Sequence, residues 1–482
     1  MSILVIDVGT SGLRSAIVTP EAHVEHVVYR AFAPTTPSPG LVEFDAIAMG
    51  NAVLQVTNAT IAANNDRIDA LGISTQRAST VVWDRKTGEP IGPALGWQDL
   101  RTVFDCIMAK AGHGLALAPN QSATKVAWLL NTYDADRSRD LLFGTIDTWI
   151  AWFVSGGALH ITDHTNAAVT GLYDTAARSW SARACDALGV PMRMLPDIVD
   201  SSGQLGTATA LPGAPMIGGL AGDQQSSLIG QGCVRPGQAK ITFGTGGMLD
   251  LCTGPDAPSN PNRSVHGTFP IVAWSREGKS TWGVEAIMLS AGSNVEWLRD
   301  DLGIIDTAAD SHAVAAQCDT TDGVVYVPAL LGLGTPHWDY GARGTLLGIT
   351  RGTGRAHIAR AVLEGVAHRG ADLVEAAEAD TGLHIGALRI DGGMSENPTF
   401  TQALANATGR SVEVSPVTEA TTLGAGYLAG LAAGTWTHLD QVADSWAPAI
   451  VVEPHDTLDR ERWHQAVQRS SRWIPDLSAL DF

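Results

Sequence analysis

The chain predicts an α/β protein built from two related halves around a cleft, on three observations. Residues 3–6 are β-branched or leucine, which suits a strand buried on both faces, and they run into Asp7, Gly9, Thr10, Ser11, Gly12 and Arg14. The same signature returns in KITFGTGGMLDL, where residues 241–243 lead into Gly244, Thr245, Gly246 and Gly247. Between and beyond them, strand, turn and helix patterns alternate through both halves.

Each element follows in order. IDALGIST reads as a strand, VVWDRKTGEPIG as a strand and hairpin with Lys86, Thr87 and Gly88 at the bend, and ATKVAWLLNTY as an amphipathic helix. Trp149 and Trp152 in DTWIAWFV read as core packing, and His337 with Trp338 as part of a structured loop. The Gly/Pro-rich stretches 211–219 and 232–238 bracket GLAGDQQSSLIGQG and mark the seam. They divide the chain into residues 1–230, expected to bind acceptor and phosphate, and residues 239–482, expected to bind nucleotide.

Composition removes several classes of function. A formal net charge of −19 argues against a nucleic-acid surface, which needs clustered Lys and Arg. No basic leader opens the sequence, and no apolar run reaches membrane-spanning length without charged or turn residues, so the expectation is a cytoplasmic protein with no membrane partner. The five cysteines form no CxxC pair, which points to buried small side chains rather than zinc or a disulfide framework. Oligomeric state, including homo-oligomers, is left open.

Three stretches carry chemistry. In IDVGTSGLR, outward-pointing backbone N–H groups, hydroxyls and an arginine suit phosphate oxygens, and Asp7 can face a cation; a plain β-turn uses the same residues. In GLAGDQQSSLIG, Asp223 is either the N-cap of a helix or a carboxylate that accepts a proton from an attacking hydroxyl. In RIDGGMSENPTF, Gly392 and Gly393 permit close backbone approach and Asn397 offers an amide to a purine edge; a strand-to-helix connection with Pro398 in the first turn reads equally well.

Taken in order, IDVGTSGLR, GISTQRASTVVWDRKTGEPIGPALGWQDLRT, FGTIDTWI, TDHTNA, GGLAGDQQSSLIGQG, ITFGTGG, VPALLGLGTPHWDYGARGTLLGITRGT and DGGMSENPTF resemble the FGGY carbohydrate kinase family, nearest its glycerol-phosphorylating branch. The resemblance spans residues 3–436, and the stretch 344–364 fits a family signature. It implies two actin-like domains of the ribonuclease H type, the architecture of the hexokinase/Hsp70/actin superfamily, closing on ATP, Mg²⁺ and a small polyol or sugar. By resemblance Asp223 is the general base, and Asp7 with Asp223 holds the metal. Thr10, Ser11 and Arg14 bind phosphates, met by Gly244, Thr245 and Gly246. Gly292 and Glu296 border the nucleotide, with Gly392, Gly393, Met394 and Asn397 on its nucleoside.

The acceptor pocket departs from the glycerol-phosphorylating pattern. Arg77, Trp97 and Gln224 fit it, but Ala78 stands where that branch has glutamate and Asn120 where it has tyrosine. Loss of a carboxylate and a ring enlarges the pocket and removes hydrogen bonds, so a longer polyol or a ketose is expected in place of glycerol. The alternatives are a glycerol-phosphorylating enzyme with a compensated pocket and a non-catalytic nucleotide- or sugar-binding protein on the same fold. Residues 204–218 lack the longer basic loop through which some family members bind a sugar bisphosphate, so that regulation is not expected.

Overall fold

The computed structural model describes residues 2–480. Thirteen strands share one sheet: β1 Ser2–Val8, β2 Gly12–Val18, β3 Val24–Ala31, β4 Ile68–Thr75, β5 Ser202–Thr207, β6 Met216–Gly222, β7 Ala239–Phe243, β8 Gly247–Gly254, β9 Phe269–Arg276, β10 Lys279–Met288, β11 Ala387–Asp391, β12 Ser411–Val414 and β13 Ile450–Val452. Their spatial order is β13-β12-β11-β7-β8-β10-β9-β5-β6-β4-β1-β2-β3. The first half is an antiparallel β1-β2-β3 meander extended in parallel by β4 and β6. The second repeats the plan, with β7, β8 and β10 antiparallel and β11 and β12 added in parallel. The half-sheets meet through one pair on β5 and β9, Ser202 opposite Arg276. Beside it, Ser201 and Ser275 each donate a backbone N–H to the other's hydroxyl at 3.0 Å.

Every residue of β1 is buried, so both of its faces need cover. On one, Leu4, Ile6 and Val8 pack under helix α1, Ala46–Ala63, which presents Met49, Val53 and Val56. By length and hydropathy α1 resembles a membrane span, with no charged residue, yet Gly50, Asn51 and Asn58 interrupt it and its apolar stripe lies on the sheet. Helices α3, Arg355–Thr381, and α4, Pro398–Thr408, cover the second half-sheet with Val362, Val366, Leu373, Phe400 and Leu404.

Two helices lie between the half-sheets, α2, Asp223–Gly230, and α5, Ala420–Ala433. α5 belongs to the second half in sequence, but Leu423, Ala425, Leu428 and Ala429 pack on Ile3, Val5, Ala70 and Ala221 of the first. It crosses α2 so closely that a Cβ on Gly424 would stand 1.8 Å from the carbonyl oxygen of Ser226. Each half thus lends a helix to the seam.

Local expectations fare well. IDALGIST is β4 and ATKVAWLLNTY is the helix Ala123–Tyr133. Trp83 bridges Pro90 across the 85–88 bend, although the main partner of Val81–Asp84 is Leu141–Gly144. Trp149 is buried, with Trp83 at 5.1 Å and Trp152 at 5.4 Å between ring centroids. All five cysteines are free and four are buried.

Candidate active site

The first half contributes the end of β1 and the turn after it. Gly9 donates to the carbonyl of Gly12 at 2.9 Å, closing a tight hairpin that leaves Ser11 exposed. Thr10 accepts a hydrogen bond from the Trp97 indole at 3.1 Å. Asp7 is buried, with only long contacts to its Oδ2: Arg14 Nε at 3.5 Å and the Thr422 hydroxyl of α5 at 3.4 Å. Burial pushes the Asp7 carboxyl up to about 6, opposed by Arg14 and reinforced by the negative charge of Asp223. Arg14 also lies 3.9 Å from Glu419, so it faces two carboxylates.

Asp223 follows β6 as the first residue of α2. Gly222 holds the N-cap position, and Asp223 Oδ1 accepts the N–H of its neighbour Gln224 at 2.8 Å, so the carboxylate is not a cap. Arg77 Nε stands 3.6 Å from the same oxygen. Burial raises the Asp223 carboxyl above the usual range, and Arg77 works against that rise. Arg77 Nη2 reaches across the cleft and donates to Glu285 Oε2 on β10 at 2.6 Å. Burial pushes Glu285 up to about 7 despite that partner.

Gln224 is held from the second half as well. Its Oε1 accepts from Lys240 Nζ at 2.6 Å, and Lys240 pairs with Asp250 at 2.8 Å, both side chains fully buried. Ala78 has a φ of 60° and its carbonyl accepts from the Ser122 hydroxyl at 2.9 Å, which draws the 118–122 turn alongside. Asn120 is exposed on that turn.

On the opposite wall, the turn of Gly244, Thr245 and Gly246 is tied to the next helix start. Gly292 donates to Gly244 O and Ala291 to Thr245 O, both at 2.8 Å. Gly392 is required: its φ is +87° and a Cβ would lie 2.4 Å from Phe243 O, so β11 brings its turn against the Gly244 turn. Gly392, Gly393 and Thr245 are exposed there, and Met394 is buried beneath. Glu296 is exposed on the helix Ser293–Asp300. Asn397 is largely spent internally: its oxygen caps α4 through Phe400 N at 3.1 Å and its amide donates to Ser311 at 2.8 Å.

The structure therefore gathers Asp7, Thr10, Arg14, Arg77, Trp97, Asp223 and Gln224 on one wall and the three glycine turns on the other. Sequence reasoning missed Glu285, Lys240, Asp250, Asp391 and Thr422. Asp391 ends β11, accepts from the Ser227 hydroxyl at 3.1 Å and keeps Oδ1 buried without a partner among the described residues. A usable signal existed for two of them: Glu285 in GVEAIM and Asp250 in GMLDLC are lone carboxylates inside otherwise apolar strands, and such residues are rarely buried without a partner.

A duplicated sheet with facing glycine turns and a half-buried carboxylate between them defines a two-lobed α/β phosphotransferase. Residues 2–230 match the FGGY family of carbohydrate kinases, N-terminal domain, and residues 239–433 match its C-terminal domain. The chain belongs to the FGGY family of carbohydrate kinases, ATP-dependent enzymes that phosphorylate hydroxyl groups. It is 40% identical to the glycerol kinase of Dechloromonas aromatica over 494 residues, covering 98% of each chain. It is 41% identical to that of Deinococcus radiodurans, covering 99% of each. Among solved structures, Plasmodium falciparum glycerol kinase with ADP superposes with a TM-score of 0.90 at 30% identity, covering 97% of this chain and 98% of that one. A xylulose kinase from Brucella ovis gives 0.86 at 25% identity, covering both chains fully.

Proposed function

We propose that this kinase transfers the γ-phosphoryl group of ATP to a hydroxyl of a small polyol or sugar, and prefers a longer polyol or a ketose to glycerol. The observation that carries the reading is Asp223: a half-buried carboxylate, uncommitted to capping its helix, fixed beside Arg77 between the two walls. An acceptor hydroxyl placed there gives its proton to Asp223 as its oxygen bonds to the γ-phosphorus, and the bond to the bridging oxygen breaks to release ADP. Residues 1–230 supply the acceptor and phosphate contacts: Arg77, Trp97, Asn120 and Gln224 for the acceptor, Thr10, Ser11 and Arg14 for phosphate. Residues 239–482 supply Gly244, Thr245 and Gly246 to the phosphates, and Gly292, Glu296, Gly392 and Gly393 to the nucleoside, with Met394 and Asn397 supporting that turn from beneath.

Asp7 and Asp223 fit Mg²⁺, being hard oxygen donors, and the contacts to Asp7 both fall on Oδ2 and are long, which leaves Oδ1 to serve. The ion supplies charge neutralisation on the transferring phosphoryl. Catalysis by the chain itself rests on positioning, and closing the walls excludes water that would otherwise take the phosphoryl group.

Preference for a longer acceptor is supported by Ala78, which offers no side-chain polar group, and by Asn120, exposed rather than packed as a wall. Glycerol phosphorylation is the second reading, favoured by the 40% identity to curated glycerol kinases. ADP release with MgATP across glycerol, tetritols, pentitols, ketopentoses and ketohexoses separates them through kcat/KM. In the same assay Asp223→Asn is expected to lower turnover by ~10²-fold or more with nucleotide affinity nearly unchanged. Undiminished turnover in that variant defeats the mechanism.

A further inference from the structure

Arg77 is a nine-tenths buried guanidinium whose bonds are unevenly made. Nη2 donates to Glu285 and Nε faces Asp223, but Nη1 is buried with no partner among the described residues. A buried donor left unmade is costly, so it is best satisfied by an oxygen that arrives with a ligand. The next residue in the chain, Ala78, brings no carboxylate, so the charge that orients Arg77 comes from the opposite half-sheet. Glu285 is itself hemmed in: Asp250 lies opposite it in register on β8, and Asp250 is neutralised by Lys240. That leaves Glu285 with Arg77 as its ion-pair partner across the cleft.

We propose that Glu285 is a positioning residue for acceptor specificity: from the second half it clamps Arg77 so that the unpartnered Nη1 meets an acceptor oxygen next to the hydroxyl addressed by Asp223. The ligand class is a polyhydroxy compound with a hydroxyl or carbonyl oxygen beside the reacting carbon. Because the clamp spans the cleft, acceptor recognition requires both walls in place. A planar guanidinium held at one edge presents its remaining N–H groups in a fixed direction, which makes the contact selective for acceptor shape as well as polarity.

This inference rests on the kinase reading, and the experiment separates the two. Steady-state kinetics over the acceptor panel are measured for the wild type, Glu285→Gln, Glu285→Asp and the double variant Ala78→Glu with Glu285→Gln. Ala78 already carries a Cβ at positive φ, so a longer side chain there adds no new backbone strain. The expected result is an acceptor KM raised ~10-fold or more in Glu285→Gln, as for loss of a charged hydrogen bond, with the ATP KM unchanged. The double variant should recover acceptor affinity and shift the preference toward shorter acceptors, because its carboxylate now occupies the pocket from the first half. Glu285→Asp, one methylene short of Arg77, should show a smaller rise and keeps the test open should the Gln variant misfold. An unchanged acceptor KM in either Glu285 variant overturns the inference, as does a raised KM that Ala78→Glu fails to lower. Turnover by the wild type with indifference to Glu285 overturns this inference alone; no turnover on any acceptor overturns the kinase reading with it.

Discussion

Asp147 shows how strongly one residue can depend on its surroundings. It lies in the helix Ile146–Val154, fully buried, accepting from the hydroxyls of Thr145 and Thr162, the latter at 2.7 Å. Burial, with nearby Asp163, pushes it up to about 7. An unfolded aspartate titrates near ~4, so between about pH 4 and pH 7 the folded chain holds a proton that the unfolded chain has lost. Its stabilising contribution is complete below that window and is lost as pH rises through it. Asp147→Asn is therefore expected to flatten the fall in stability from pH 5 to pH 8, read from denaturation midpoints at both values. Equal falls in variant and wild type would remove Asp147 as the cause. The sequence is readable at this scale where chemistry is local: Asp7, Asp223 and the glycine turns stand out because the turn itself demands them. Glu285 and Lys240 do not, since their meaning depends on partners 208 and 16 residues away.

At the scale of elements, the crossing of α2 and α5 depends on Gly424. Alanine there would gain ~1 kcal/mol of helix propensity. Against that, its Cβ would meet a backbone carbonyl that no rotamer change can move aside, and overpacking of this kind costs ~1–3 kcal/mol or more. Gly424→Ala is expected to lower the melting temperature, whereas Gly386→Ala, with open space around the added carbon, should leave it near the wild-type value. A melting temperature as high in Gly424→Ala as in wild type would mean that the helices slide apart freely. β4 and the helix Ala123–Tyr133 were legible from periodicity alone. The crossing was not, because a small residue in a helix carries no mark of what lies against it.

For the whole molecule, the repeated hairpin turns foretold duplication, and the thirteen-stranded order bears this out. What the repeat could not foretell is that the two sheets join through a single residue pair and exchange cover, α5 of the second half lying on β1 and β4 of the first. Residues 1–230 expressed alone are therefore expected to be insoluble or partly folded, and co-expression with residues 239–482 to restore a soluble pair, checked by size-exclusion chromatography. A soluble, cooperatively melting 1–230 fragment would contradict that dependence. The same arrangement sets a timetable during synthesis. The first sheet is complete once β6 has left the ribosome, but its cover arrives some two hundred residues later, ~10–40 s at ordinary elongation rates. For that interval Ile3, Val5 and Ala70 lack the part of their native cover that Leu423, Ala425, Leu428 and Ala429 supply, and the nascent chain is at its most dependent on chaperones.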